Sequence, residues 1–233
     1  HISSKPAEYY KQFISVKGVT IKADETVDPA AIEAGAEIVD VMLSGRADIA
    51  LCMARRRGDL AIVPRNQTLT SLPEYKHLEG TTDFTGRRRD SFDIRGVGGV
   101  PGLPVSSAAE EQLLGNLEPH HPYYPFRGLV AVHEFAHGIQ NLCFTEADHE
   151  QWNKFYEEAV QAELYPGSHL MADVNEYFAV MTTWYFEVTG ELGEISDRDE
   201  LEERFPMVFR ALDEIYAGAT VPEKYRTWMD RPH

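Results

Sequence analysis

The sequence predicts an α+β fold, with a mixed sheet-containing N-terminal half and a mainly helical C-terminal half. Three observations carry this expectation. Before residue 65, two apolar segments, Phe13–Ala23 and Leu60–Pro64, have the length and pattern of strands. From Gly128 onward they recur at helical spacing with few interruptions. Hydrophobic residues make up 43 % of the 233 residues and charged residues 26 %, enough apolar surface to build a core. Neither a repeat nor a linker divides the chain. One domain over 1–233 is therefore expected, with a β-containing part at about 1–127 and a helical part at about 128–233.

Taken in order, Phe13–Ala23 places Ile14, Val16, Val19 and Ile21 in a strand or hairpin, with Lys17-Gly18 as the break. Asp28-Pro29 reads as an N-cap followed by proline in the first helical position. The helix that follows carries Ile32, Ile38, Val39, Met42 and Leu43, and Gly45 is its expected stop. A short helix is expected over Ile49–Ala54, and Leu60–Pro64 reads as a buried strand. Residues 65–127 show little periodicity and hold Arg87-Arg88-Arg89, the glycine-rich Arg95–Gly102 and His120-His121-Pro122-Tyr123-Tyr124-Pro125. A stretch of this kind forms a wall or lid, or is less irregular than it looks. Its glycines neither follow a clear strand nor open a helix, so turns or close backbone packing are expected rather than phosphate binding. Helices are then predicted at about 128–142, 147–164, 173–188 and 199–217.

Net charge is −16, from 22 bases and 38 acids, and residues 144–233 carry 20 of those acids against 7 bases. Phosphate-bearing partners would be repelled, so neither nucleic acid nor an anionic membrane is an expected partner. The longest apolar stretches, such as Gly128–Val132, fall far short of the roughly 18–20 residues of a membrane span. Cys52 and Cys143 belong to no Cys-x-x-Cys pair; a disulfide, free thiols or metal ligation all remain open, a zinc–thiolate knuckle least so. The first residue is His1 rather than methionine, and Asn66-Gln67-Thr68 is a glycosylation sequon. Both point to a secreted protein, and a monomer is expected.

Residues 133–137 read His-Glu-Phe-Ala-His, inside the otherwise apolar Leu129–Ile139. With 9 histidines and 24 glutamates, chance yields roughly 0.04 such motifs in a chain of this length. Residues four apart on a helix lie about 40° apart around its axis, so His133 and His137 can reach one metal ion. Glu134 sits beside that site as a general base for a metal-activated water. A charged glutamate in an apolar helix also needs compensation, which a divalent cation provides. Catalytic zinc takes three protein ligands and keeps one open position. A third histidine six residues after His137 is absent, because that position is Cys143. Glu176, in Asn175-Glu176-Tyr177-Phe178-Ala179, can supply the ligand from a second helix, or can close a capping box with Asp173.

His-Glu-Phe-Ala-His followed by Asn-Glu-Tyr-Phe-Ala resembles the gluzincin zinc metallopeptidases, and within them the anthrax lethal-factor-like catalytic domain family. The likeness covers residues 128–142 and 169–186. A looser one covers Leu72-Pro73-Glu74 and Glu110–Gly115. It implies a zincin-like fold around a zinc cleft. Zn2+ would be held by His133, His137 and Glu176, and Glu134 would be the general base that later returns a proton to the leaving amine. The substrate would be a peptide or protein. The family often has an oxyanion-supporting tyrosine seven residues before the third ligand. That position here is His169, which can donate a hydrogen bond in its place, while Tyr165 lies four residues earlier. The family acid after Asn-Glu-x-x-Ala is Val180. Two other functions fit the same residues: an inactive zincin-scaffold binding protein, and a zinc hydrolase of non-peptide substrates. His120 and His121 could line a substrate cleft and the triplets Arg55–Arg57 and Arg87–Arg89 could clamp an acidic substrate, but the first are read as loop residues and the second as solvated or ion-pairing residues, with Tyr123, Tyr124 and Trp184 as packing.

Overall fold

The computed structural model describes residues 6–116, 126–188 and 197–226. The chain opens with a short helix α1 (Pro6–Tyr9), then β1 (Gln12–Val16) and β2 (Val19–Ala23). These strands pair antiparallel from Gln12↔Ala23 to Val16↔Val19. Lys17 and Gly18 join them at φ +49° and +83°. Two successive positive φ values give the turn whose twist matches a tight hairpin, and glycine takes the second at no steric cost. α2 (Pro29–Met42) starts where Asp28 accepts a hydrogen bond from the Ala30 amide, with Pro29 in the first turn. α3 (Ala47–Arg56) leads into β3 (Leu60–Val63), all four of whose residues are buried. β2 and β3 run parallel, as do β3 and β4 (Ser106–Ala109), giving a mixed sheet in the order β1-β2-β3-β4.

The stretch expected to be irregular holds regular structure. Two 3-10 turns, Leu69–Ser71 and Pro73–Leu78, precede β4, and α4 (Glu110–Leu114) follows it directly. A small core of Tyr10, Ala61, Val63, Leu69, Leu72, Tyr75, Ile94 and Val105 lies beneath these turns. Strand β4 reads Ser-Ser-Ala-Ala, without the branched residues that mark strands. Its side chains are small because a helix lies against them.

That helix is α5 (Leu129–Cys143), packed on β4 along one side and on α7 (Val174–Tyr185) along the other. Between them in sequence comes α6 (Glu146–Gln161), opened by a reciprocal Thr145–Asp148 capping box and packed on α7. The single helix expected over 199–217 is two, α8 (Arg198–Arg204) and α9 (Pro206–Tyr216). Pro206 divides them: the residue before a proline is driven out of the helical region, and Phe205 sits at φ −133°, ψ 59°. α10 (Glu223–Arg226) ends the described chain. The architecture is thus mixed α and β, with the main core between the sheet and helices α2, α5, α7 and α9. No described helix is long and apolar enough to cross a membrane.

Cys52 and Cys143 form a disulfide. It ties α3 to the last residue of α5 and settles the question left open by their spacing. Trp184 is buried against Tyr165 and Phe205, as packing residues are. His120 and His121, expected as loop residues, and Tyr123 and Tyr124, expected as packing, lie outside the described residues.

Candidate metal centre

Every apolar residue of α5 faces core: Leu129, Val130, Val132, Phe135, Ala136, Ile139 and Leu142 are all buried. The helix is therefore held on most of its circumference. His133 and Glu134 keep partial access to solvent, and His137 is buried at its rim. His133 and His137 bring their Nε2 atoms to 3.1 Å from each other. From α7, Glu176 places Oε2 3.1 Å from Nε2 of His133 and Oε1 3.3 Å from Nε2 of His137.

The start of α7 explains why this carboxylate is available. Asp173 alone caps the helix, accepting from the amides of Asn175 and Glu176. The Glu176 side chain turns to the imidazoles instead of back to the cap. Burial works against its charge. Close contact with the nitrogens of His133, His137 and His169 outweighs that and holds the carboxyl far below its ordinary range. The N-terminal end of a helix favours the same ionised form.

These three side chains form a group able to hold a metal ion. Two observations test the fit. Tetrahedral zinc with bonds of about 2.0–2.1 Å separates neighbouring ligand atoms by about 3.3 Å, close to the 3.1–3.3 Å separations here. And Glu176 Oε2 is buried without a well-formed hydrogen bond among the described residues, although imidazole nitrogens lie at 2.8 and 3.1 Å. Nitrogen and oxygen lone pairs that converge this closely are what a bound cation would hold together. A His2Glu donor set suits zinc.

Glu134 lies on the same helix, partly buried in the wall of the cleft. Burial raises its pKa, the nearby charge of Glu176 raises it further, and His133, His137 and His169 oppose both. His169 opens a 3-10 turn, His169–Met171, that is pinned by buried Leu170 and by a hydrogen bond from Tyr156 Oη to the Met171 carbonyl. Its Nε2 lies 2.8 Å from Glu176 Oε2, and its ring stacks on His133 at 5.8 Å between centroids. The side chain keeps 44 % of its surface exposed, so one edge of the imidazole still faces the cleft. All five residues singled out from sequence, His133, Glu134, His137, His169 and Glu176, line one cleft of about 590 Å³.

The opposite wall comes from the stretch read as a wall or lid, although none of its residues was singled out as a site residue. Gly96-Val97-Gly98 runs along the outer edge of β4, where Ser107 donates its amide to the Val97 carbonyl and Ser107 Oγ accepts from the Val97 amide. Gly99 anchors the strap, donating to Ser106 Oγ and accepting from Asn141 of α5. A Cβ on Gly98 would lie 2.2 Å from Cβ of His137, and one on Gly96 would lie 2.6 Å from Val130. The glycine run therefore serves close backbone packing, as its sequence suggested. Arg95 begins the strap fully buried, bridging Glu111 at 2.7 and 3.0 Å and donating to the Pro64 and Gln67 carbonyls. Beyond it a hairpin bearing Asp83, Phe84, Thr85, Arg87 and Arg89 completes the lining. The Asp-x-x-Gly turn at Asp83–Gly86 was a readable signal for that hairpin.

No protein-family model matches this chain, and no curated protein matches it.

Proposed function

We propose that this protein is a zinc-dependent metallopeptidase of the gluzincin type, built on a zincin-like cleft and acting outside the cell. The observation that carries the reading is the convergence of His133, His137 and Glu176 on one point, with Glu134 beside it in an open cleft. When bound there, zinc supplies Lewis acidity toward water and the scissile carbonyl. Glu134 accepts the proton of the attacking water and returns it to the leaving amine. With Nε2 held by Glu176, His169 can support the oxyanion through Nδ1–H as an imidazolium.

Substrate orientation falls to the strap. Backbone groups alternate in direction along a strand. Those of Val97 face β4, so those of Gly96 and Gly98, residues that line the cleft, point away from β4. An extended peptide can add there as a further strand. A secreted location agrees with the Cys52–Cys143 disulfide and with exposed Asn66 in its sequon.

One observation favours a second reading, a binding protein that keeps zinc without turnover: His169 spends its Nε2 on Glu176 rather than standing free. Metal analysis combined with digestion of a peptide mixture separates the two. The peptidase reading expects about one zinc per chain and cleavage that a chelator abolishes. Glu134→Gln should keep zinc and lose at least a hundredfold in turnover, whereas His133→Ala should lose both. Full activity in Glu134→Gln would refute the assignment. Stoichiometric zinc with no cleavage by the parent would leave the binding reading.

A further inference from the structure

The cleft mouth carries a feature that the hydrolytic site does not use. Residues 81–89 fold back on themselves, with backbone bonds from Asp83 to Arg87, from Gly86 to Asp83 and from Arg89 to Thr81. Asp83 fastens the turn, accepting from the amides of Thr85 and Arg87 and from the Arg87 guanidinium at 2.9 Å. On this well-tied hairpin Phe84 stands 78 % exposed while lining the cleft. An aromatic ring held in water at a cleft wall presents an apolar surface to whatever enters the cleft.

The three consecutive arginines of the hairpin are not equivalent. Arg87 pairs with Asp83, and Arg88 pairs with Asp90 at 2.6 and 2.8 Å. Arg89 also lines the cleft, and no carboxylate pairs with it among the described residues. Its Nη1 donates to the Thr82 carbonyl and more distantly to Thr81 Oγ1, which orients the guanidinium without neutralising it. In a chain with net charge −16, an oriented arginine lacking an acid partner at the mouth of a cleft is a bound anion's counterpart.

We infer that the 81–89 hairpin is the specificity element of the cleft, and that it selects peptides in which a bulky apolar side chain and an acidic side chain lie close together. Phe84 takes the apolar side chain and Arg89 the carboxylate. The inference deepens the peptidase reading and rests on peptides being what the cleft holds.

Binding can be measured apart from turnover. The probes are fluorescein-labelled decapeptides with Gly/Ser flanks around a central Leu-Glu, Leu-Lys or Ser-Glu. Their anisotropy is followed with the zinc-loaded Glu134→Gln chain, and cleavage of the same peptides with the parent chain. The Leu-Glu peptide should bind about tenfold tighter than either relative, and its advantage over Leu-Lys should shrink as salt is raised. Adding Arg89→Glu should reverse the preference for Glu over Lys. Adding Phe84→Ser should erase the preference for Leu over Ser. Zinc content and melting temperature report that each variant is folded. Equal binding of the three peptides, or preferences that survive both substitutions, overturns the inference. Cleavage by the parent without preference overturns it while leaving the peptidase reading intact. Selective binding with no cleavage leaves the inference standing and removes the peptidase reading.

Discussion

The strap and the metal helix approach so closely at Gly98 that a single methyl group there tests how the site is built. In Gly98→Ala the new Cβ would lie 2.2 Å from Cβ and 3.0 Å from Cγ of His137, and 3.1 Å from the Glu134 carbonyl. Comfortable carbon–carbon contact begins at about 3.5 Å, so strap and helix must part by about 1 Å. Neither side yields easily. The strap is bonded to β4 through Val97 and Gly99, and α5 is clamped by the sheet and α7. Overpacking of this kind costs about 2–3 kcal/mol. With an unfolding entropy of about 2.1 cal/mol/K per residue, that lowers the melting temperature of a chain of 233 residues by roughly 4–6 °C. Metal ligands tolerate displacements of only about 0.2 Å, so zinc affinity should fall at least about tenfold. Gly102→Ala is the control. Gly102 lies in the same loop at φ +86° with nothing within 4 Å of the added carbon. Its cost is backbone strain alone, about 1 kcal/mol, and zinc affinity should not change. Differential scanning calorimetry and competition with a chromophoric chelator read the two effects. If Gly98→Ala melts with the parent and holds zinc within twofold of it, the strap does not press on the metal helix and this account of the site is wrong.

Three further outcomes follow from the same structure. The disulfide closes a loop between residues 91 apart, so chain-entropy arguments give it about 4–5 kcal/mol; urea unfolding of Cys52→Ser/Cys143→Ser should show most of that loss, and a loss below about 1 kcal/mol would contradict the argument. Arg95→Met strands Glu111, 99 % buried, without its cation. It should cost about 3–5 kcal/mol, and the double change Arg95→Met/Glu111→Leu should recover a large part of it; additive losses in that cycle would refute the pairing. Asp83 is held at about 2, against 3.8 as a free group: burial pushes it up, but hydrogen bonds from Thr85 and Arg87 prevail. A carboxyl with a lowered folded value stabilises above its unfolded value and ceases to do so as pH falls through the folded one. The 81–89 hairpin should therefore stay ordered at pH 5 and loosen between about pH 4 and pH 2, readable as new proteolytic cuts by pepsin after Phe84. Cutting that is equal at pH 4 and pH 2, once corrected for pepsin activity, would show that Asp83 does not fasten the turn.

What could be read from the sequence, and what could not, divides along one physical line. The metal helix was legible because its evidence is local. Helical period and donor spacing lie within the fifteen residues of α5, and the same holds for the Lys17-Gly18 hairpin and the Asp28 cap. Glu176 was half legible. Its sequence allowed both a capping box and a ligand, and only the placement of α7 beside α5 turns its carboxylate toward the imidazoles. β4 was invisible because Ser-Ser-Ala-Ala follows no strand propensity, and the buried Arg95 was invisible because its partner Glu111 lies sixteen residues away. Yet the small residues that hid the strand have one cause. A Cβ on Gly138 would lie 2.8 Å from Ser106 Oγ, Gly96 would press on Val130 and Gly98 on His137. Each occupies a point where the motif helix meets the edge of the sheet or the strap beyond it. Bulkier side chains there would lift α5 away from β4 and move its histidines from Glu176. The low β propensity of this region and the position of the metal site are thus consequences of the same contact, and a run of small residues some thirty residues before a His-Glu-x-x-His helix can be read as the surface on which that helix rests.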